Sequence, residues 1–214
     1  MKLNDEVIIL SCTEGSLSYA VSGSDGVTLI DTSNPGKGEA IISELAANNI
    51  KPSDIKRILL THHDVDHIGN VAFLQDKTNC DIFIHPDDYP YVMEGKKREG
   101  IKRLVASLVK VRKPREVKRI DGNSIGDFAV IPSPGHTRGH TTYRFHNVLF
   151  LGDLVGNKNG KVIKLPPMGT WDTTTLLNSI KTLPVNGVEW FCPAHGEPFK
   201  AAAWNEMLNA YFNK

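Results

Sequence analysis

The sequence lacks any hydrophobic run long enough to cross a membrane, and its longest apolar stretches, such as Val148–Leu151, have only the length of a strand. Asp5 and Glu6 precede a short apolar run, which excludes a secretory signal of the usual pattern. Cysteine is scarce: three residues form no Cys-x-x-Cys pair, as expected of free thiols in a reducing compartment. We therefore predict a soluble, cytoplasmic protein with no membrane partner.

An excess of one charge is also missing, since 25 basic residues face 24 acidic ones. This balance argues against a polyanion binder on global charge alone. Hydrophobic residues make up 40% of the chain and charged residues 23%, which excludes wholesale disorder. The 214 residues are enough for one sizeable core.

Strand-like and helix-like patterns alternate along two similar halves of the chain. Short apolar or β-prone runs predict strands over residues 7–11, 18–21, 27–30, 56–60, 80–84, 128–131, 141–145, 148–151 and 188–192. Apolar spacing predicts helices over residues 38–48, 70–75, 89–109, 173–183 and 201–212, with Asp172 as the N-cap of the fourth. The pattern indicates two sheets with helices packed outside them, in a single domain over residues 1–214.

The most informative stretch is His62-His63-Asp64-Val65-Asp66-His67, which directly follows the predicted strand 56–60. Alternate residues of an extended loop point the same way, so His62, Asp64 and Asp66 are expected to converge, with His67 turning in at a helix start. Imidazole and carboxylate groups are the ligands that zinc, iron and manganese take from proteins. The stretch therefore predicts metal binding.

Three further ligand-type residues lie just past predicted strands, each beside glycine or proline. They are His136 in Pro134-Gly135-His136, Asp153 in Leu151-Gly152-Asp153, and His195 in Pro193-Ala194-His195-Gly196. A strand fixes the position of such a residue, and the turn aims its side chain. We expect these residues to complete a metal site.

Taken in order, these motifs strongly resemble those of the metallo-β-lactamase superfamily of metallohydrolases. The resemblance implies an α+β fold, a four-layer αββα sandwich in a single domain, with a binuclear metal site at one edge. It also implies a first site from His62, Asp64 and His136. The second site would use Asp66, His67 and His195, with Asp153 bridging the two ions.

The sequence departs from the usual motif at Asp64, where the family commonly has histidine. Two divalent ions, three aspartates and one hydroxide sum to zero charge, whereas histidine at this position would leave one positive charge. A hard oxygen ligand also shifts metal preference toward iron or manganese. Zinc remains the expected metal because the imidazole-rich second site suits it.

The resemblance and the ligand set imply a hydrolase in which a hydroxide held between two divalent ions attacks a small ester, thioester, lactone or amide. Asp66 is the expected catalytic residue, orienting the hydroxide and taking up its proton. Two alternatives stay open: a di-iron oxidoreductase-like protein, because some relatives with a carboxylate in this motif bind iron, and a phosphodiesterase. The partner is a small-molecule substrate.

Residues 96–119 hold eleven basic and two acidic residues, although the chain as a whole is balanced. The apolar stripe Ile101, Leu104, Val105 and Leu108 places most charges on the opposite helix face. This face is either simply solvated or attracts anionic substrates; nucleic acid is disfavoured because the run lacks stacking aromatics.

The four remaining histidines are not expected to bind metal. His63 is interpreted as an exposed neighbour of the motif, with a role behind the ligands or facing the substrate as the alternative. His140 is interpreted as a residue behind the ligands or at a strand start. His85 and His146 match no family position and are interpreted as ordinary.

Overall fold

The structure is a computed structural model that describes residues 1–212. These residues form two compact units, Met1–Asp121 and the chain from Gly122 onward. The single domain expected over residues 1–214 stays a prediction, and the two units are described separately below.

The first unit is built on a six-stranded sheet in the order β1-β2-β3-β4-β5-β6. Its strands are β1 Val7–Ile9, β2 Tyr19–Gly23, β3 Gly26–Ile30, β4 Ile55–Leu59, β5 Asp81–Ile84 and β6 Lys118–Arg119. Strands β3, β4, β5 and β6 run parallel, with Ile30 opposite Leu59. The carboxyl ends of β3 and β4 therefore lie side by side.

Five helices accompany this sheet: α1 Gly38–Ala47, α2 Val65–Ile68, α3 Val71–Thr78, α4 Tyr89–Met93 and α5 Gly100–Leu108. Apolar residues of the strands and of α1 and α3, such as Leu29, Ile41, Ile58 and Leu74, form the core of the unit. Burial of these side chains is the main favourable term for such a unit.

The single helix predicted over residues 89–109 is wrong, because the chain breaks between α4 and α5. Glu94 ends α4, and Gly95 adopts a positive φ of 70° that no helix interior accepts. The apolar stripe of α5 is also not buried: no residue of this helix is buried, and Leu108 is 78% exposed. Tertiary contacts rather than amphipathic periodicity decide which face of α5 turns inward.

The second unit contains another six-stranded sheet, in the order β14-β13-β10-β9-β8-β7, and a two-stranded sheet. Its strands are β7 Ser124–Ile125, β8 Phe128–Pro132, β9 Thr141–Phe145, β10 Val148–Gly152, β11 Gly156–Lys158, β12 Lys161–Ile163, β13 Trp190–Pro193 and β14 Phe199–Lys200. Strands β10 and β13 are parallel neighbours, with Phe150 opposite Cys192. Their carboxyl ends meet at one edge.

Two helices pack against this sheet, α6 Thr173–Thr182 and α7 Ala201–Phe212. Asp172 caps α6 as predicted, since its carboxylate accepts a hydrogen bond from the Thr175 N–H at 2.5 Å. Leu149, Leu176, Phe191 and Trp204 belong to the core of the unit. Among residues 1–212, no helix is long and apolar enough to span a membrane.

Candidate metal centre

The first cluster of ligand-type residues lies where β4 ends. After an extended Asp64, whose carbonyl accepts hydrogen bonds from the N–H groups of His67 and Ile68, the chain turns into α2. His62 Nε2 lies 3.4 Å from Asp64 Oδ2, and His67 Nε2 lies 3.8 Å from Asp66 Oδ2. The two imidazole rings are 3.9 Å apart. The structure thus brings these four predicted residues together.

Asp31, which sequence reasoning missed, supports this cluster. Its Oδ2 lies 2.8 Å from His67 Nδ1, and its carboxylate also accepts hydrogen bonds from the Thr61 N–H at 2.8 Å and the Thr61 hydroxyl at 2.7 Å. A carboxylate on Nδ1 fixes the tautomer of a histidine and directs Nε2 toward a metal. The position of Asp31 could have indicated this role, because Asp31 directly follows β3, just as His62 comes soon after β4.

His63 is not the exposed neighbour that the sequence predicted. It is 5% exposed, and its Nδ1 lies 2.9 Å from Oδ2 of the fully buried Asp88. The ring stacks on Tyr91, with centroids 4.0 Å apart and planes 9° apart. Its backbone N–H also donates to Asp88. The exposed interpretation failed because Asp88 and Tyr91 come from a later part of the chain that covers the motif.

Two cations of the basic segment reach the same cluster. Lys102 Nζ lies 2.6 Å from Asp64 Oδ2, and both side chains are largely buried. Arg98 donates a hydrogen bond to the backbone carbonyl of His63. Burial lowers the pKa of the Arg98 guanidinium, although the carboxylates of Asp64 and Asp88 oppose that shift. At these two positions the expectation of a purely solvated charged face is wrong.

The second cluster occupies the joined carboxyl ends of β10 and β13, in the second unit. The two oxygens of Asp153 face two different imidazoles: Oδ2 lies 3.3 Å from His136 Nε2, and Oδ1 lies 3.2 Å from His195 Nε2. The structure therefore brings together the remaining three predicted residues. A carboxylate that faces a histidine with each oxygen has the arrangement needed to bridge two ions.

His140 lies behind this cluster, as predicted. Its Nε2 accepts a hydrogen bond from the backbone N–H of Asp153 at 3.1 Å, and its Nδ1 lies 2.9 Å from the Ser133 hydroxyl. Because Nε2 is used as an acceptor, the ring carries its proton on Nδ1 if it is neutral. His140 holds the Asp153 backbone in place rather than offering a ligand atom outward.

Two glycines allow the ligand loops to pass close to their neighbours. Gly135 has φ +138°, and a Cβ there would meet the Leu176 backbone at 2.3 Å. Gly196 has φ +97°, and a Cβ there would meet the Asn157 carbonyl oxygen at 1.8 Å. Only glycine fits either position, so both turns that aim His136 and His195 depend on the absence of a side chain.

The donor atoms fit a divalent metal by chemistry and by spacing. Two ligand atoms about 2.0–2.1 Å from a tetrahedral zinc ion lie about 3.3 Å apart. The His62–Asp64, His136–Asp153 and His195–Asp153 pairs are separated by 3.4, 3.3 and 3.2 Å. Imidazole and carboxylate groups held at this separation suit zinc, iron or manganese.

The thiols and the other two histidines lie apart from these clusters. All three cysteines are free, as predicted. Burial, together with the Glu44 carboxylate, raises the pKa of Cys12 to about 12, and burial raises the pKa of Cys192 well above its usual range.

His146 sits at a positive φ of 50° in the turn between β9 and β10, and His85 lies beside Asp87. Neither histidine joins a ligand cluster.

The family model of the metallo-beta-lactamase superfamily matches residues 13–195. The chain therefore belongs to this superfamily, and the predicted membership is confirmed. The match runs through both compact units and includes all seven candidate ligands. The superfamily uses divalent metals, in agreement with the donor set.

Three similar proteins illustrate the relationship. A hydroxyacylglutathione hydrolase of Erwinia tasmaniensis is 32% identical over 126 residues, which cover 57% of this chain and 41% of that protein. The metallo-beta-lactamase family protein TTHA1429 of Thermus thermophilus aligns with a TM-score of 0.74 at 21% identity, over 99% of this chain and 81% of that one. The protein TTHA1623, solved in a di-iron-bound form, aligns with a TM-score of 0.68 at 24% identity, over 92% of each chain.

The structural neighbours confirm the predicted fold class, α+β of the metallo-β-lactamase type. Superfamily membership and the hydrolase relative support a metal-dependent hydrolase in general. The chain matches only about two fifths of the length of that curated relative (41%), so its particular substrate is not carried over.

Proposed function

We propose that this protein is a binuclear metallohydrolase that cleaves a small thioester or ester, and that its two divalent ions are held by His62, Asp64, Asp66, His67, His136, Asp153 and His195. The observation that carries the proposal is Asp153, whose two oxygens each face a different histidine at 3.2–3.3 Å. Because the two imidazoles lie on different oxygens of one carboxylate, the arrangement favours two ions, one beside each histidine, over a single ion.

Two bound divalent ions would supply a hydroxide nucleophile near neutral pH and Lewis acidity at the scissile carbonyl. The chain's own contribution begins with Asp66, whose side chain is 27% exposed while those of His62 and His67 are fully buried. An accessible carboxylate among buried imidazoles is placed to hold the proton released as a nucleophile attacks. Asp31 keeps His67 in one tautomer throughout.

Thioester cleavage is the preferred reaction because the curated relative is a hydroxyacylglutathione hydrolase. Esters, lactones and amides share the same carbonyl chemistry and complete the substrate class. Zinc is the preferred metal because four of the seven proposed ligands are imidazoles. The carboxylate at Asp64 and the di-iron form of TTHA1623 keep iron as the second candidate.

The test is a reconstitution experiment. Protein stripped with a chelator is reloaded with Zn²⁺, Mn²⁺ or Fe²⁺, its metal content is measured, and it is assayed on a hydroxyacylglutathione, a nitrophenyl acetate and a nitrophenyl phosphodiester. We expect two ions per chain and metal-dependent cleavage of the thioester or ester. Asp153→Asn should lower the stoichiometry to one ion or none, whereas Asp121→Asn, a change at an exposed residue, should leave it at two.

Three results would contradict the proposal. Failure to bind any of the three ions would remove the metal site altogether. Cleavage of the phosphodiester alone would indicate a phosphodiesterase. Oxygen consumption by the iron form without hydrolysis would indicate a redox protein.

A further inference from the structure

Helix α5 is oriented opposite to an ordinary amphipathic helix: its apolar residues are exposed, and a lysine is largely buried. Ile101, Leu104, Val105 and Leu108 are 36–78% exposed, while the side chain of Lys102 is only 16% exposed. Lysine is a strongly hydrated ion, and burying it is unfavourable unless an opposite charge compensates for the lost water. The compensating charge is the Asp64 carboxylate, 2.6 Å from Lys102 Nζ.

Asp64 is also the position at which this chain departs from the family's usual histidine. A carboxylate in place of a neutral imidazole adds one negative charge beside the metal ligands. An ammonium in contact with that carboxylate removes it again. With Lys102 counted, the sum of the proposed ions, ligands and hydroxide returns from zero to one positive charge, the value that a histidine ligand would give.

We propose that Lys102 is a positioning residue that makes Asp64 the charge equivalent of a histidine ligand and fixes the orientation of its carboxylate. The inference rests on the proposed function, because it assigns Asp64 to the metal. It explains why the unusual ligand and the unusual inward lysine occur together. It also gives part of the basic segment a definite role, distinct from attracting a substrate.

The experiment is a double-mutant cycle on metal affinity. Asp64→His, Lys102→Met and the double variant are compared with the wild type, using metal-free protein titrated with Zn²⁺ against a chromophoric chelator. The electronic spectrum of the Co²⁺ form reports the coordination in each variant. Arg103→Met is the matched control, since Arg103 is the next residue of the same helix but is exposed.

Asp64→His alone should weaken Zn²⁺ binding about tenfold or more, because the Lys102 ammonium then faces a dication with no carboxylate between them. Adding Lys102→Met should restore the affinity to within about threefold of the wild type. In the wild-type background, Lys102→Met should change the affinity by less than about threefold, because lost repulsion and lost carboxylate orientation oppose each other. Arg103→Met should leave both the affinity and the Co²⁺ spectrum unchanged.

Two outcomes would overturn the inference. One is additivity, in which Lys102→Met has the same effect with Asp64 present and in the Asp64→His background. The other is equal behaviour of Lys102→Met and Arg103→Met in the Asp64→His background. A wild-type protein that binds neither Zn²⁺, Co²⁺ nor Fe²⁺ would instead overturn the proposed function, so the two failures are distinguishable.

Discussion

Asp31 Oδ2 and His67 Nδ1 lie 2.8 Å apart, although Asp31 directly follows β3 and His67 lies in α2. The contact exists because β3 and β4 are parallel neighbours, so the residue after β3 reaches the loop after β4. Asp31 also accepts two hydrogen bonds from Thr61, so its carboxylate is held from two directions. His67 is therefore oriented before any metal binds.

Asp31→Asn should lower the affinity for Zn²⁺ about 10- to 100-fold, because an amide no longer fixes the His67 tautomer as a carboxylate does. Chelator competition on the metal-free protein measures this change. Asp25→Asn is the matched control, since Asp25 pairs with Arg57 on the surface of the same unit. Equal affinities for the two variants would refute a role for Asp31 in metal binding.

Asp66→Asn should reduce turnover of the best substrate at least about 100-fold, because an amide takes up no proton. The fold should survive, because the Asp66 side chain is partly exposed and its replacement has the same size. We expect a melting temperature within about 3 °C of the wild type, measured on the metal-free proteins. Asp5→Asn, an exposed change, should retain full turnover. Wild-type rates in Asp66→Asn would assign the proton to another group.

A comparison of Gly196→Ala with Gly160→Ala distinguishes two costs of a side chain: the strain of a positive φ and the steric clash of a Cβ with neighbouring atoms. Both glycines have positive φ, +97° and +76°, but a Cβ at Gly160 meets nothing within 4 Å. Gly160→Ala should lower the free energy of unfolding by about 1 kcal/mol, the cost of the left-handed backbone. Gly196→Ala should cost at least about 2 kcal/mol more, because the Asn157 carbonyl must move. Chemical denaturation measures both free energies of unfolding, and equal losses would show that the Asn157 carbonyl does not oppose a side chain at position 196.

Glu44 supplies a pH-dependent contribution to stability. Burial raises the pKa of its carboxyl, but hydrogen bonds from the N–H groups of Cys12 and Ser11 outweigh this effect and leave the pKa below its ordinary 4.5. A folded-state pKa below the unfolded value stabilises the protein above pH 4.5, and this stabilisation is lost as the pH falls through the folded-state pKa.

Glu44→Gln should therefore lower the free energy of unfolding by about 1 kcal/mol at pH 7, with the difference from wild type shrinking below pH 4.5. Urea denaturation at pH 7 and pH 3 provides the comparison. Glu39→Gln, at an exposed position of the same helix, should show no such dependence on pH. A difference that stays constant between the two pH values would exclude the linkage.

Sequence patterns were sufficient to select the seven proposed ligands, because all of them follow strands and most lie beside a glycine or at the start of a helix. That local signal is visible along the chain, and the structure groups the seven residues into the two clusters described. The same reasoning overlooked Asp31, which lies in a similar place, because the Asp31-Thr32-Ser33-Asn34 run has the composition of an ordinary turn.

The errors fall where long-range contacts override local pattern. Periodicity placed most charges of α5 on the face opposite its apolar stripe, the face interpreted as solvated or substrate-attracting. In the structure the stripe is exposed, while Lys102 is largely buried against Asp64. His63 was expected to be exposed because nothing near it in sequence covers it, whereas Asp88 and Tyr91 do. The spacing of residues along the chain does not show which distant residues will meet, so the sequence pattern alone could not identify these contacts.

The parallel pairing of β10 and β13 has a consequence for the evolution of such a protein. Asp153 and His195 are brought together by strand neighbourhood, so the intervening β11, β12 and α6 form a crossover whose length does not set the distance between the two side chains. Insertions or deletions in that crossover can remodel the surroundings of the proposed metal centre while Asp153 and His195 stay in register. If the proposed function holds, new selectivity can therefore evolve in this segment without displacing these two residues.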